Sequence, residues 1–290
     1  MPIVETSAPV LAKAAKARGV RGDIAGTAVW QYPTAQPKAN LLLVHGFRGN
    51  HYGLSAIAGA LIDCNVLIPD LPGYGKSPAL VGEHSLDNYG KWLVGLVEEL
   101  PGEWIVLGHS FGSLVVSNAL SHGLRPRAIV LQNPITTRAS EQNDLANRLA
   151  RFFYAACGKM GAVGSAFLRS SVVVRVMSIA MATSKSPALR SWIHAQHHQH
   201  FSCYVHDRVA MEGFAAASAG NVLDYADLFQ APTLLIAGEK DSIAPLQRQI
   251  LAQRKIPGSA LEVIPKVGHL THYESAAKVA ELIDEFVSQQ

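Results

Sequence analysis

Short apolar runs bounded by turn residues recur at 40–44, 65–69, 104–107, 128–131, 232–237 and 260–264. They are apolar at nearly every position rather than at alternate ones, which predicts strands buried on both faces, as in a parallel sheet. Helical patterns at 85–100 and 113–121 lie between them, and strand–helix alternation predicts an α/β fold. An earlier segment, 27–32, reads as an antiparallel edge strand. Near the end, Ala276, Val279, Leu282 and Phe286 recur every three or four residues and predict an amphipathic closing helix. From Ile135 to about Asn221 no strand pattern occurs, yet a loop of that length is implausible in a compact domain. It reads as a helical insertion that covers something. The expected organisation is a core of residues 1–134 and 222–290, with a helical cap at 135–221.

The start of the chain adds little to this picture. Up to Val20 it is Ala-rich, with Lys13, Lys16 and Arg18 after the apolar residues, the reverse of a signal peptide's order. A solvated arm is the expectation, with a short amphipathic helix as the alternative. The most apolar stretch, 161–182, is interrupted by Arg169 and Arg175, against the ~20 predominantly apolar residues of a membrane span.

Composition narrows the function classes. Of 290 residues, 49% are apolar and 16% charged, which excludes intrinsic disorder. A formal charge of +3 lacks the strong basic excess of a nucleic-acid binder. Three scattered cysteines, Cys64, Cys157 and Cys203, make neither a disulfide framework nor a CxxC metal site. A soluble, cytoplasmic protein is the expectation.

The chemistry concentrates in Gly108-His109-Ser110-Phe111-Gly112, directly after one predicted strand and directly before a predicted helix. This is G-x-S-x-G in the strand–turn–helix setting that the motif requires. The turn would expose the Ser110 hydroxyl above a helix N-terminus whose dipole favours developing negative charge. Further motifs follow strands in order: His45-Gly46-Phe47-Arg48-Gly49, the turn from Asp70 to Ser77 (DLPGYGKS), Gly238-Glu239-Lys240-Asp241, and Gly268-His269.

On these residues the chain resembles the α/β-hydrolase superfamily, over nearly its whole length outside the insertion. The resemblance implies a mostly parallel central sheet flanked by helices, an inserted helical cap, and a serine hydrolase of esterase or lipase type. It also implies Ser110 as nucleophile, His269 as base and Asp241 as its acid, in the Ser…Asp…His chain order of that fold. The residue chemistry agrees. A serine is a weak nucleophile until an imidazole takes its proton, and a carboxylate fixes that imidazole's tautomer. Backbone N–H groups of Phe47 and Phe111 would hold the oxyanion. No metal or organic cofactor is required.

Each role has a rival. His272 competes with His269, and Glu239 with Asp241, while Asp224 and Asp227 read as solvated. His45 reads as a brace for the oxyanion loop, and His109 as packing or pocket lining. Arg48 reads as an attractor of an anionic substrate or as half of a surface ion pair. His194 and His198 share a helical face, but no Cys or carboxylate joins them, so a pocket-edge helix is expected rather than a metal site. Trp192, Phe201, Tyr204 and Phe214 read as cap packing or pocket lining. The apolar cap residues, among them Phe152, Phe153, Tyr154, Phe167, Val172 and Val176, are expected to shelter an acyl chain. His45, Arg48, His109 and Trp192 are thus the candidate substrate contacts, and a small, apolar acyl compound is the expected partner. Acyltransferase, carbon–carbon bond hydrolase, cofactor-free haloperoxidase or perhydrolase, and non-enzymatic receptor readings remain alternatives.

Overall fold

The computed structural model of the chain describes residues 7–141 and 145–290. The first six residues of the expected arm, and residues 142–144 of the insertion, lie outside them. In chain order the elements are α1 (Ala8–Arg18), β1 (Val20–Ile24), β2 (Thr27–Tyr32), β3 (Asn40–Val44), α2 (Ser55–Ala60), β4 (Asn65–Pro69), α3 (Leu86–Glu98), β5 (Ile105–His109), α4 (Phe111–Ser121) and β6 (Ala128–Gln132). Five helices follow: α5 (Leu145–Lys159), α6 (Gly161–Leu168), α7 (Ser171–Met181), α8 (Pro187–His200) and α9 (Asp207–Ala219). The chain closes with β7 (Thr233–Gly238), α10 (Leu246–Lys255), β8 (Ala260–Ile264), α11 (Thr271–Glu274) and α12 (Ala276–Val287).

The eight strands form one sheet in the order β1-β2-β4-β3-β5-β6-β7-β8. The pairs β1–β2 and β2–β4 are antiparallel, and the rest are parallel. Alternation along the central strands divides the core between the two faces. Leu42, Val44, Val106 and Leu131 pack on one side with Leu93 of α3 and Leu114 of α4. Leu41, Leu43, Leu107 and Val130 pack on the other with Ile57 of α2 and Ile283 of α12. Burial on both faces is why these strands read as unbroken apolar runs. The edge strand β8 departs from the expectation, because Glu262 and Val263 stand exposed.

Two features at the start of the chain correct the sequence reading. The segment expected to be a solvated arm contains α1, docked through buried Ala8, Leu11 and Ala15. It crosses α2 so closely that a Cβ on Gly59 would lie 2.0 Å from the Leu11 carbonyl oxygen. Small side chains on both helices permit that approach, and Arg18 then donates to the Leu61 carbonyl at 3.1 Å. β1 was not expected, since Val20 and Arg21 face solvent on a sheet edge and leave no apolar run. It is turned into β2 by Ala25 and Gly26, both at positive φ. Such a turn matches the twist of an antiparallel hairpin.

Among the described residues, no single helix is long and apolar enough to cross a membrane. The parallel register brings the carboxyl ends of β3, β5, β6 and β7 to one edge, with Val44 opposite Gly108, His109 opposite Gln132 and Gln132 opposite Ile236. Ligand sites of open α/β sheets lie at that edge.

Candidate active site

Ser110 follows β5 and precedes the first residue of α4, with φ +52° and ψ −116°. Its two glycine neighbours are demanded by space. A Cβ on Gly108 would come within 2.5 Å of the Gly112 carbonyl oxygen, and one on Gly112 within 2.2 Å of the Val44 oxygen. The turn is pinned by a 3.0 Å bond from the Ser110 N–H to the Gln132 carbonyl on β6. The hydroxyl, only part-buried, projects to the carboxyl edge of the sheet.

Two loops converge on it. His269 lies after β8, and its Nε2 sits 2.8 Å from Ser110 Oγ. Its Nδ1 sits 2.7 Å from Asp241 Oδ2, in the loop after β7. Asp241 is 4% exposed, yet both oxygens are filled. Oδ1 accepts the N–H groups of Ile243 and Ala244, each at 2.9 Å. Oδ2 also accepts the Asn133 side-chain amide at 2.8 Å. Burial by itself would raise this carboxyl's pKa. The charge and hydrogen bond of His269, with the Ala244 and Asn133 donors, outweigh it and hold the pKa below the usual carboxylate value. Asp241 is therefore an ionised acceptor that orients the imidazole.

On the other side of Ser110 runs the loop after β3. A Cβ on Gly46 would lie 3.2 Å from Ser110 Cβ, so the loop passes at backbone distance. The loop's own bond joins Gly49 N–H to the Gly46 carbonyl and leaves the Phe47 N–H out of it. Phe111 opens α4, where first-turn N–H groups have no partner inside the helix. The loop after β3 and the first turn of α4 thus flank Ser110. This is the arrangement that can hold a tetrahedral oxyanion.

The fold and these loops agree with the comparisons. Residues 39–276 match the profile of the alpha/beta hydrolase fold family. The chain belongs to that family. It is 26% identical over 269 residues to the dihydrolipoyllysine-residue acetyltransferase component of the acetoin cleaving system of Pseudomonas putida, covering 85% of this chain and 63% of that one. The chain thus spans less than two thirds of that relative. It is also 23% identical over 255 residues to 2-hydroxymuconate semialdehyde hydrolase of Pseudomonas putida, covering 77% of each. Among solved structures, an esterase from Exiguobacterium antarcticum superposes with a TM-score of 0.74 at 17% identity, over 93% of this chain and 99% of that one.

Within this α/β hydrolase, several side chains sit elsewhere than the sequence suggested. Arg48 is neither a substrate attractor nor a surface ion pair. It is 0% exposed, donates to Tyr154 Oη at 3.0 Å and the Leu168 carbonyl at 2.6 Å, and also bonds Ser202 Oγ. Phe201 and Tyr204 stack on its guanidinium at 5.3 and 5.7 Å. A cation so enclosed is kept by hydroxyl, carbonyl and π-faces, because those groups converge where a carboxylate was expected. His45 is likewise buried rather than open to substrate. Its Nε2 accepts the Leu71 N–H at 2.9 Å while Nδ1 bonds the Gly46 carbonyl at 2.9 Å, so it braces the loop after β3. Burial lowers its pKa to about 4 and keeps it neutral.

His109 is buried with its ring 4.1 Å from that of His272 and 5.6 Å from that of His269, and burial lowers its pKa to about 3. His272, the rival base, is buried too, and its Nδ1 has no hydrogen-bond partner among the described residues. Trp192 packs edge-on against Tyr273 at 5.3 Å, joining α8 to the core. His194 and His197, not His198, share a partner: both Nδ1 atoms bond Ser178 Oγ, at 2.6 and 2.7 Å. Glu239 accepts the Lys266 N–H, and Asp224 pairs with Arg138, as local roles would have it. Phe152, Phe167, Val172 and Val176 point outward, whereas Tyr154 and Phe214 stack on each other at 3.8 Å and flank Phe47.

Sequence reasoning missed the supports beneath the three converging side chains. Asn133, at φ +46°, gives its amide to Asp241 and takes the Thr271 hydroxyl on its oxygen. Gln132 donates to that same hydroxyl at 2.7 Å. Thr183, between α7 and α8, accepts the Gly268 N–H at 3.0 Å next to His269 and is itself held by Glu274. The one sequence signal was Gln132-Asn133 closing an apolar strand, where polar side chains stand at the sheet's functional edge.

Proposed function

We propose that this α/β hydrolase cleaves carboxylic esters or related acyl compounds through an acyl-Ser110 intermediate. The observation that carries the reading is the unbroken chain from Asp241 Oδ2 through His269 to Ser110 Oγ, at 2.7 and 2.8 Å. Ser110 Oγ attacks the acyl carbonyl while its proton passes to His269 Nε2. The carbonyl oxygen, now an oxyanion, accepts the N–H groups of Phe47 and Phe111. Collapse expels the alcohol, which takes the proton from His269 and leaves the acyl group on Ser110. Water then enters, gives a proton to His269 and attacks the acyl carbon. The acid departs and Ser110 regains its proton. Asp241 stays ionised throughout and stabilises the imidazolium. Residues 135–221 act as a cap over this edge, with Tyr154 and Phe214 meeting Phe47, and the substrate is a small, apolar acyl compound.

Fluorophosphonate labelling tests the assignment. Wild-type protein should be labelled on Ser110 and Ser110→Ala should not, with circular dichroism unchanged. Full esterase activity in Ser110→Ala would sink the mechanism. Adding primary alcohols to the assay separates hydrolysis from transfer, since a transferase would form new ester in preference to free acid.

A further inference from the structure

The helices α5 to α8 combine two properties seen nowhere else in the chain. Residues 145–206 contain seven Lys and Arg and no Asp or Glu, whereas the rest of the chain has 18 basic against 22 acidic residues. The same segment displays large apolar side chains to solvent: Phe152, Val163, Phe167, Val172, Val176 and Ile179 are between 47% and 72% exposed. They are not scattered. Val163 and Phe167 stand four apart on α6, and Val172, Val176 and Ile179 form an i, i+4, i+7 stripe on α7. Arg175 lies inside that stripe, exposed and without an ion-pair partner among the described residues. The stripe borders a groove of about 900 Å³ between α7 and α8 whose other wall includes His194, Ala195 and His198.

We propose that the outer face of α6 and α7 docks on an anionic lipid surface, with Phe167, Val172, Val176 and Ile179 entering the headgroup–acyl boundary and Arg175 meeting lipid phosphates. A row of neighbouring exposed apolar side chains, rather than single scattered ones, calls for a partner. A basic amphipathic face lies in the plane of an anionic membrane. A second copy of the chain would set one carboxylate-free basic segment against another, so charge complementarity selects the lipid. Spanning is not the mode. The two helices are bent by 43° where Arg169 lies, and that arginine is ion-paired to Asp207 at 2.9 Å. Docking through this face is independent of the reaction proposed at Ser110.

The test is co-sedimentation with vesicles of phosphatidylcholine, and with vesicles in which part of it is replaced by phosphatidylglycerol. Wild-type protein should bind the anionic vesicles and not the neutral ones, and salt should weaken the binding. R175Q should lower the partition coefficient about fivefold, as for one basic residue near an anionic surface. The double variant F167E/V176E should abolish binding. Circular dichroism and the melting temperature would match wild type in both variants, showing that they fold. Equal binding to neutral vesicles, unchanged binding of the variants, or no binding at all would overturn the proposal. So would concentration-dependent dimerisation in ultracentrifugation that F167E/V176E removes, which would identify a second copy as the occupant.

Discussion

Asn133 combines a left-handed backbone with a side chain that reaches Asp241, and so it decides how firmly the acid is held. Asn133→Gly keeps the left-handed backbone free of strain and removes the side-chain amide, both the donor to Asp241 and the acceptor of the Thr271 hydroxyl. A hydrogen bond to a charged group is worth ~1.5–3 kcal/mol, so kcat should fall roughly tenfold or more while KM changes little. Unchanged kcat would show that Asp241 is positioned without it. Gly112 is the opposite kind of residue, needed for what it lacks. Gly112→Ala places a Cβ 2.2 Å from the Val44 oxygen, a backbone atom that cannot swing aside. It should cost ~3 kcal/mol or more, read as a Tm lowered by ~6 °C or more in calorimetry. A Tm within a degree of wild type would refute the packing argument.

At the scale of elements, Arg48 ties the loop after β3 to several of the helices between β6 and β7, beside a 3.2 Å bond from the Asn50 amide to the His200 carbonyl. Arg48 reaches α5 through Tyr154, the end of α6 through the Leu168 carbonyl, and the α8–α9 link through Ser202. Lysine offers a single ammonium in place of this planar fork. Arg48→Lys should leave at least one buried acceptor unpaired, at ~1–3 kcal/mol, and should slow fluorophosphonate labelling because the neighbouring Phe47 N–H loses its position. Labelling at the wild-type rate would separate the strap from the site.

Phe47 itself is wedged among Tyr74, Phe111, Tyr154 and Phe214, so little space remains for branching near the leaving group. Across acetyl to palmitoyl esters of one alcohol, kcat/KM should climb by up to ~4-fold per methylene and then stop at short-to-medium chains, with a tertiary acetate among the poorest substrates. A flat profile, or the tertiary ester as best substrate, would contradict this shape. The strands and the three converging side chains were legible because burial on both faces writes an apolar run and a tight elbow writes its glycines. α1 and β1 were not. One docks through two alanines and a single leucine, too short a pattern to mark a buried face, and the other lies on an exposed edge. The fate of Arg48 was illegible too, since its partners come from sequence positions more than a hundred residues away.

At the scale of the whole molecule, buried neutral histidines govern the response to acid. Burial lowers His45 to about 4, His109 to about 3 and His197 to about 4. Their unfolded value is ~6.5, so the unfolded chain binds more protons below that pH. The stability they contribute is complete above ~6.5 and drains away as pH falls towards 4. By pH 5 each costs about 2 kcal/mol relative to neutral pH, before any relaxation. Urea midpoints should therefore drop steeply between pH 6.5 and 4.5, well above the range in which Asp241 takes up a proton. A midpoint constant from pH 7 to 4.5 would mean that these imidazoles are solvated.

The acyl-enzyme is the claim on which the chemistry stands, and rapid mixing with a p-nitrophenyl ester tests it most directly. Wild-type protein should release a burst of nitrophenol close to one equivalent per chain where deacylation limits turnover. An acid-quenched sample should carry the acyl mass on the peptide containing Ser110. Ser110→Ala should show neither the burst nor the adduct. An adduct on any other residue, or turnover in wild-type protein with no acylated Ser110 under any quench time, would contradict the account.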